Sequence, residues 1–269
     1  MTKYSIRKDP FKYFRLAKEN ILYPGRFKFN FVVVGVQKAG TTALDRYLRD
    51  HPKVAMPKWK ELSYFNNDKA YENNTLPNPR AFYHIKNRLK IYGECTPCYI
   101  YSHTAVERMK KHNPKMKIIA ILRNPIERAF SQWNMEISRD WEKRSFKECI
   151  EEEIAEINAG TKEYHMVRSY VHRGLYAEQI QRIYSEFPKE QVLFLKYEDL
   201  RDKPACTLTR IYSFLGVRPM NPRGEKKANV IKYQSRITEN EKGILKDFFM
   251  PNIIAVEELL SWDCSDWKS

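Results

Sequence analysis

The sequence lacks any long apolar run. No stretch of about 18 apolar residues occurs among its 269 residues, so we expect no membrane-spanning helix. From Met1 to Asn20, basic and aromatic side chains alternate without the apolar segment that a secretory signal requires. Internal repeats, low-complexity segments and linker-like stretches are also missing. We therefore predict a cytoplasmic protein with one domain over 1–269, on or near which a basic segment, 1–26, is packed.

Cysteine is scarce and scattered. Five cysteines at irregular spacing do not make a disulfide framework, and no His/Cys group has the spacing of a zinc site. Reduced thiols agree with a cytoplasmic setting. Cys95 and Cys98 form a C-x-x-C pair, but no thioredoxin-like pattern surrounds them, so we do not predict a redox function.

Acidic residues are outnumbered. The chain has 33 Asp and Glu against 48 Lys and Arg, a formal net charge of +15. Such an excess indicates an anionic partner, which leaves nucleic acid, phospholipid, a polyanionic sugar and a nucleotide open. The basic residues are spread along the chain, and no nucleic-acid-binding signature appears, so we predict that nucleic acid is not the partner.

Apolar residues are nevertheless plentiful enough for a folded core. The chain is 42% hydrophobic, and its length allows a large buried interior without disulfide or metal staples. Short β-branched and apolar runs at 29–34, 117–122 and 192–195 predict buried strands. Helical periodicity alternates with them at 41–51, 102–112, 125–137, 176–187 and 208–215. This alternation predicts an α/β fold of three layers, with a central, mostly parallel sheet flanked by helices.

The helix after the second strand has clear start signals. Asn124 is predicted as its N-cap, Pro125 suits the first helical position, and Glu127 stands where a capping-box carboxylate would. Ser131 lies outside the predicted apolar stripe. Arg123 comes directly after the strand, at the sheet edge where α/β proteins bind ligands, and an arginine fork with a nearby hydroxyl suits a phosphate. The stripe consists of Ile126, Phe130, Trp133 and Ile137.

The turn after the first strand has the composition of a phosphate loop. Between Gly35 and Gly40 it carries Lys38, and two threonines follow at the start of a helix. Amides at a helix N-terminus, hydroxyls and one lysine form an anion site. A nucleotide kinase loop would have lysine where Thr41 stands, and Arg123 occupies the place of the acid that would hold magnesium. These residues therefore favour a 5′-phosphate held without metal.

Several motifs in one order resemble those of the sulfotransferase superfamily, whose members use 3′-phosphoadenosine 5′-phosphosulfate (PAPS). The resemblance covers most of the chain and is strongest for the heparan-sulfate-type and bacterial branch. The motifs are the phosphate loop with Leu44, Lys60-Glu61-Leu62-Ser63-Tyr64-Phe65, Gly93-Glu94-Cys95-Thr96-Pro97, the segment from Arg123 to Ser131, Arg173-Gly174-Leu175-Tyr176-Ala177, Phe187-Pro188 and Glu198-Asp199-Leu200.

The resemblance implies a P-loop-like fold and a set of donor-binding residues. Lys38 is expected to contact the 5′-phosphate and the bridging oxygen of the leaving group. Arg123 and Ser131 are expected to hold the 3′-phosphate of the donor. A basic loop at 223–229 corresponds loosely to one that covers the 3′-phosphate and adenine, from which we take Lys227 and Tyr233. The expected loop contacts to the 5′-phosphate are Gln37, Lys38, Ala39, Gly40, Thr41 and Thr42.

The resemblance also implies a reaction. Glu61 is expected to be the general base that takes the proton of the acceptor, and Lys60 to tune that carboxylate or help hold the sulfuryl group. Ser63 departs from the histidine that many relatives have, so a Glu–His pair is in doubt and an amine acceptor stays open. The products would be a sulfated small molecule or carbohydrate and adenosine 3′,5′-bisphosphate, with no metal. The loops at 57–90 and 139–172 are expected to select the acceptor.

Two other functions stay open at this point. One is a P-loop kinase-like nucleotide-binding enzyme, against which Thr41 argues. The other is a polyanion-binding module, which would be expected to concentrate its basic residues in one recognition element.

Overall fold

A computed structural model describes residues 28–68, 71, 83, 90–165, 167–226, 233 and 235–268. In this part of the chain, five parallel strands form one sheet in the order β2-β3-β1-β4-β5. The strands are β1 Phe31–Gly35, β2 Val54–Ala55, β3 Ile91–Cys95, β4 Lys117–Leu122 and β5 Val192–Lys196. The predicted parallel α/β sheet is therefore confirmed. The predicted N-terminal segment, 1–26, lies outside the described residues.

Helices connect and cover the strands. They are α1 Thr41–Asp50, α2 Ala105–His112, α3 Pro125–Ser138, α4 Phe146–Asn158, α5 Tyr176–Glu186, α6 Tyr197–Asp202, α7 Pro204–Leu215, α8 Glu239–Leu260 and α9 Ser265–Lys268. β1 and β4 are buried along almost their whole length because helices cover both faces of a parallel sheet. None of the helices in the described part is long and apolar enough to cross a membrane.

The predicted element boundaries are mostly right. The strand at 117–122 is reproduced, the first strand starts at Phe31, and the helix predicted from Ser102 starts at Ala105. Gly216 ends α7 in the left-handed conformation, with φ 77°. The strands β2 and β3 were not predicted, because β2 has two residues and β3 contains a glycine and a glutamate.

Two predictions about α3 are wrong. Asn124 does cap the helix, accepting a hydrogen bond from the N–H of Ile126 at 2.9 Å, but Glu127 does not complete a capping box and binds Arg123 instead. Ser131 is only 4% exposed, because α3 is packed on nearly all sides and not along one apolar stripe. The prediction of a single apolar stripe therefore underestimated how much of this helix is buried.

Candidate functional site

The turn between β1 and α1 has the geometry of an anion site. Gly40, with φ 79°, is the N-cap of α1, and it makes no side-chain cap, so the first amides of the helix face the turn. A Cβ at Gly40 would lie 2.9 Å from the ring of Tyr197, which with the positive φ accounts for glycine there. Lys38 also has a left-handed backbone, with φ 72°. The structure thus brings the predicted loop residues from Gln37 to Thr42 together at one helix N-terminus.

Lys38 lies among other cations. Burial lowers its pKa to about 8, and the charges of Arg139 and Arg123 act in the same direction. The carboxylate of Glu136 opposes them. A half-buried ammonium with more positive than negative charge around it is stabilised when an anion binds, so this loop favours a bound phosphate.

Arg123 reaches the phosphate loop from the carboxyl end of β4. Its Nη1 donates to the carbonyl of Lys38 at 3.1 Å, while Nε and Nη2 donate to Glu127 at 3.1 and 2.8 Å. Burial alone would lower the pKa of Arg123, but its hydrogen bond to Glu127 and that carboxylate's charge outweigh burial and raise the pKa. Arg123 therefore stays charged beside the phosphate loop.

A cavity of about 1060 Å³ opens beside Arg123. Phe130 and Tyr233 form an aromatic wall, their ring centroids 5.5 Å apart in an edge-to-face arrangement. Arg236 and Lys246 line the cavity together with the carboxylates of Glu127, Glu239 and Asp266, so it combines aromatic surface with charges of both signs. Tyr233 thus lines the same cavity as Arg123, whereas Lys227, the other residue taken from the basic loop, lies outside the described residues.

Lys60 and Glu61 form an ion pair on a loop beside β3. The Nζ of Lys60 donates to Oε1 of Glu61 at 2.7 Å, and the Glu61 side chain is 44% exposed. Burial alone would lower the pKa of Lys60, but the groups beside it, the carboxylate of Glu61 among them, outweigh burial and raise the pKa. Glu61 has a left-handed backbone, with φ 65°, which a non-glycine residue rarely adopts. Its carboxylate is accessible and can accept a proton.

Arg173 is a site residue whose role the sequence did not reveal. It is 3% exposed, and its Nη1 donates to Oε1 of Gln37 in the phosphate loop at 2.8 Å. Its guanidinium lies 4.7 Å from the ring centroid of Tyr101. The only signal in the sequence was its place in the Arg173-Gly174-Leu175-Tyr176 motif, which said nothing about Gln37.

Two buried acids near the site were also not predicted. Glu136 is 2% exposed and pairs with Arg139 at 3.6 Å; burial raises its pKa, while the charges of Arg139, Arg173 and Lys38 oppose that rise. Glu94 is fully buried at the end of β3, and burial raises its pKa to about 8. Both acids are placed by long-range packing, which residue spacing does not show.

Four of the five cysteines are buried. All five cysteines are free thiols, and burial raises the pKa of Cys95, so the C-x-x-C pair has no activated thiolate at this position. Among the described residues, no cluster of three or more His, Cys, Asp or Glu side chains could hold a metal ion.

The sequence is similar to those of known sulfotransferases. The chain is 26% identical to the membrane-associated sulfotransferase kil1 of Dictyostelium discoideum, with 87% of this chain and 65% of the relative covered. It is 31% identical to the human heparan sulfate glucosamine 3-O-sulfotransferase 6, with 72% and 54% covered. The chain thus spans about half to two thirds of the length of these curated relatives.

A solved structure agrees over nearly the whole chain. The sulfotransferase from Alicyclobacillus acidocaldarius superposes with a TM-score of 0.75 at 28% identity, with 90% of this chain and 100% of that one covered. The family model of the sulfotransferase domain matches residues 29–241, which include the phosphate loop, Glu61, Arg123 and Arg173. The chain therefore belongs to the sulfotransferase domain family.

Proposed function

We propose that the protein transfers a sulfuryl group from PAPS to a hydroxyl or amine of a small-molecule or carbohydrate acceptor. The observation that carries this proposal is the convergence of Lys38 and Arg123 at one uncapped helix N-terminus, joined by the 3.1 Å hydrogen bond from Arg123 to the carbonyl of Lys38. Two separate cationic groups suit a donor that carries phosphate at both its 5′ and its 3′ position.

The open helix N-terminus favours one orientation of the donor. Lys38, Thr41, Thr42 and the amides of the loop would bind the 5′-phosphate, since this loop holds the open helix N-terminus. Arg123 and Ser131 would bind the 3′-phosphate. The adjacent cavity offers the aromatic wall with Tyr233 for the adenine.

The reaction requires one proton acceptor and one charge stabiliser. As the acceptor oxygen or nitrogen forms its bond to sulfur, the bond between sulfur and the bridging phosphate oxygen breaks, and that oxygen keeps the electron pair. Glu61 takes the proton released by the acceptor, which typically contributes about 10²–10⁴-fold to the rate. Lys38 stabilises the negative charge that develops on the bridging oxygen. Lys60 holds the Glu61 carboxylate in place through the 2.7 Å contact.

The acceptor is proposed only by class. Serine at position 63 leaves Glu61 without a neighbouring histidine, so both alcohols and amines agree with the site. The name of the human relative places its sulfation on a glucosamine of heparan sulfate, which supports a carbohydrate among the acceptors. The positive net charge of +15 agrees with an acidic one.

Ligand-induced thermal stabilisation tests the donor. Adenosine 3′,5′-bisphosphate at ~100 times its Kd should stabilise the protein by about 2.7 kcal/mol, and ATP with Mg²⁺ should do so much less. Lys38→Met should weaken the effect of the bisphosphate, whereas the exposed Lys115→Met should not. Stabilisation by ATP–Mg²⁺ alone would point to a kinase-like enzyme and would rule out the proposal.

Removing the proposed base tests the chemistry separately. Glu61→Gln should bind adenosine 3′,5′-bisphosphate as the wild type does but lose most sulfuryl transfer, by about 10²-fold or more. Transfer is measured with radiolabelled PAPS and a desulfated heparan oligosaccharide that offers free hydroxyl and amino groups. An active Glu61→Gln variant would remove Glu61 as the base.

A further inference from the structure

The motif Gly93-Glu94-Cys95-Thr96-Pro97 has no part in the reaction described so far, yet it binds the loop that carries Glu61. Every backbone N–H from Glu61 to Phe65 donates a hydrogen bond to residues 95, 94, 96 or 99. The bonds are Glu61 N–H to the Cys95 carbonyl at 3.1 Å, Leu62 N–H to Glu94 Oε1 at 3.0 Å, Ser63 N–H to Thr96 Oγ1 at 3.2 Å, and Tyr64 and Phe65 N–H to Tyr99 Oη at 2.7 and 3.4 Å.

The bound loop has a backbone that these residues would not adopt on their own. Glu61 and Ser63 both lie in the left-handed region, with φ 65° and 51°. Such conformations are unfavourable for residues with a Cβ, and they persist where surrounding contacts over-determine them. Hydrogen bonds from five consecutive backbone amides to one neighbouring stretch supply that constraint. With the amides turned toward this stretch, the Glu61 side chain stays 44% exposed and in contact with Lys60.

The stretch that receives these bonds is itself rigid. Glu94, Thr96 and Tyr99 are at most 1% exposed. The chain continues along β1 past the end of β3, where the N–H groups of Thr96 and Ile100 donate to the carbonyls of Val33 and Val34 at 3.1 and 3.0 Å. β1 also leads into the phosphate loop. The Glu61 loop and the phosphate loop are thus fixed to neighbouring strands of one sheet.

The side chains that accept the bonds suit this task. The hydroxyl of Thr96 also donates to the Glu94 carboxyl, so the two acceptors hold each other in place. A threonine hydroxyl can donate one hydrogen bond while it accepts another, and a carboxyl oxygen accepts from two donors. Tyr99 hydrogen-bonds both side chains as well, so Glu94, Thr96 and Tyr99 form a connected network along which the loop backbone lies.

We propose that Glu94, Thr96 and Tyr99 are positioning residues for sulfuryl transfer, which hold the Glu61 loop in its left-handed conformation and so fix the carboxylate of Glu61 relative to the phosphate loop. The inference rests on the proposed function, because it assigns the proton transfer to Glu61. It also gives a chemical reason for the glutamate and threonine in this motif.

Thr96→Val tests the positioning, because it keeps the shape and removes the hydroxyl that Ser63 N–H needs. We expect kcat to fall about ten- to hundredfold, as small misplacements of catalytic groups do, with the Kd for adenosine 3′,5′-bisphosphate changed less than twofold. Thr96→Ser keeps the hydroxyl and should restore the rate. Thr207→Val is the matched control, since Thr207 is a buried threonine on α7 whose hydroxyl donates to the Lys203 carbonyl.

A double-mutant cycle separates positioning from general damage. In the Glu61→Gln background no base is left to position, so adding Thr96→Val should cost little further rate. If Thr96→Val lowers the rate equally in both backgrounds, or leaves kcat unchanged, the inference is wrong while the proposed function stands. If the wild type neither binds the bisphosphate nor transfers the sulfuryl group, it is the proposed function that fails.

Amide hydrogen exchange tests the same network without any acceptor. The amides from Leu62 to Phe65 should exchange slowly in the wild type although they belong to a loop, and Tyr99→Phe should speed the exchange of Tyr64 and Phe65 at least tenfold. Tyr184→Phe serves as control, because Tyr184 lies on α5 and packs on Phe194. Wild-type exchange as fast as that of an exposed loop would overturn the inference.

Discussion

At the scale of single residues, the main feature of the site is a lysine whose positive charge is disfavoured by its surroundings. Lys38 is buried beside Arg123 and Arg139, and its pKa falls to about 8. In the free protein the ammonium therefore loses its proton near pH 8, whereas an ordinary lysine does so near pH 10.5. A bound phosphate would stabilise the ammonium and raise its pKa, so affinity for the donor and protonation of Lys38 are linked.

The linkage predicts a pH dependence of binding. Below pH 8 Lys38 is protonated with or without ligand, so the affinity for adenosine 3′,5′-bisphosphate should be nearly constant. Above pH 8 binding requires uptake of a proton, and the affinity should fall by up to about tenfold per pH unit. Isothermal titration between pH 7 and 10 measures this. Lys38→Met should bind more weakly and lose the decline; an unchanged decline in that variant would assign it to another group.

The same shift has a consequence for folding. Because the pKa of Lys38 is lower in the folded protein than in the unfolded chain, protonated Lys38 costs stability below pH 8. That cost is relieved as the pH rises from 8 toward the ordinary value of 10.5, since the unfolded chain then holds more protons than the folded one. The site thus retains a charge that the fold alone would disfavour.

At the scale of secondary-structure elements, the spacing between β1 and β3 depends on a glycine. A Cβ on Gly93 would lie 1.9 Å from the ring of Phe31, which is fully buried on the adjacent strand. The Tyr83 hydroxyl donates to the Gly93 carbonyl at 2.6 Å on the same element. β3 can therefore bring Glu94 and Thr96 close to the phosphate-loop strand only without a side chain at position 93.

Gly93→Ala should destabilise the protein by about 1–3 kcal/mol or somewhat more, because neither Phe31 nor β3 can move without loss of packing. The melting temperature should fall by about 2–4 °C for each kcal/mol. Gly243→Ala is the control, since a Cβ at this helical position meets nothing within 4 Å and alanine should stabilise the helix slightly. Equal melting temperatures for the two variants would contradict this packing argument.

At the scale of the whole molecule, a distant segment completes the phosphate loop. Glu153 on α4 accepts hydrogen bonds from the N–H groups of Tyr170, Val171 and His172 at 2.7, 2.9 and 3.0 Å. These bonds fix the turn that precedes Arg173. Arg173 in turn contacts Gln37, which is 136 positions away in sequence. The helical layer therefore contributes to the donor site as directly as the sheet does.

Arg173→Lys should weaken bisphosphate binding about tenfold, because an ammonium cannot reproduce the planar fork that contacts Gln37 while lying over Tyr101. Titration calorimetry measures the Kd. The control is Arg182→Lys, in which the half-buried arginine bonds to carbonyls at 100–102 and not to the loop. If both variants bind as the wild type does, Arg173 has no role in shaping the phosphate loop.

The sequence alone was enough for the parallel α/β fold and for the residues that meet at the phosphate loop. Strand and helix periodicities are local, and the turn from Gly35 to Thr42 and Arg123 both come at strand ends, which a parallel sheet brings to one edge. The cytoplasmic location and the class of acceptor stay predictions. Ser131 and Glu127 were misjudged because the burial of α3 depends on what packs around it.

Only the tertiary structure decided how the site is held and charged. Arg173 bonds to Gln37, and the Glu61 loop bonds to Glu94, Thr96 and Tyr99, all across long distances in sequence. The burial that lowers the pKa of Lys38 likewise depends on residues far from it in sequence. Such contacts have no periodicity or spacing along the chain, because they arise when elements pack. Motif order therefore indicated which residues to consider, and three-dimensional packing showed which of them lie together and what holds them there.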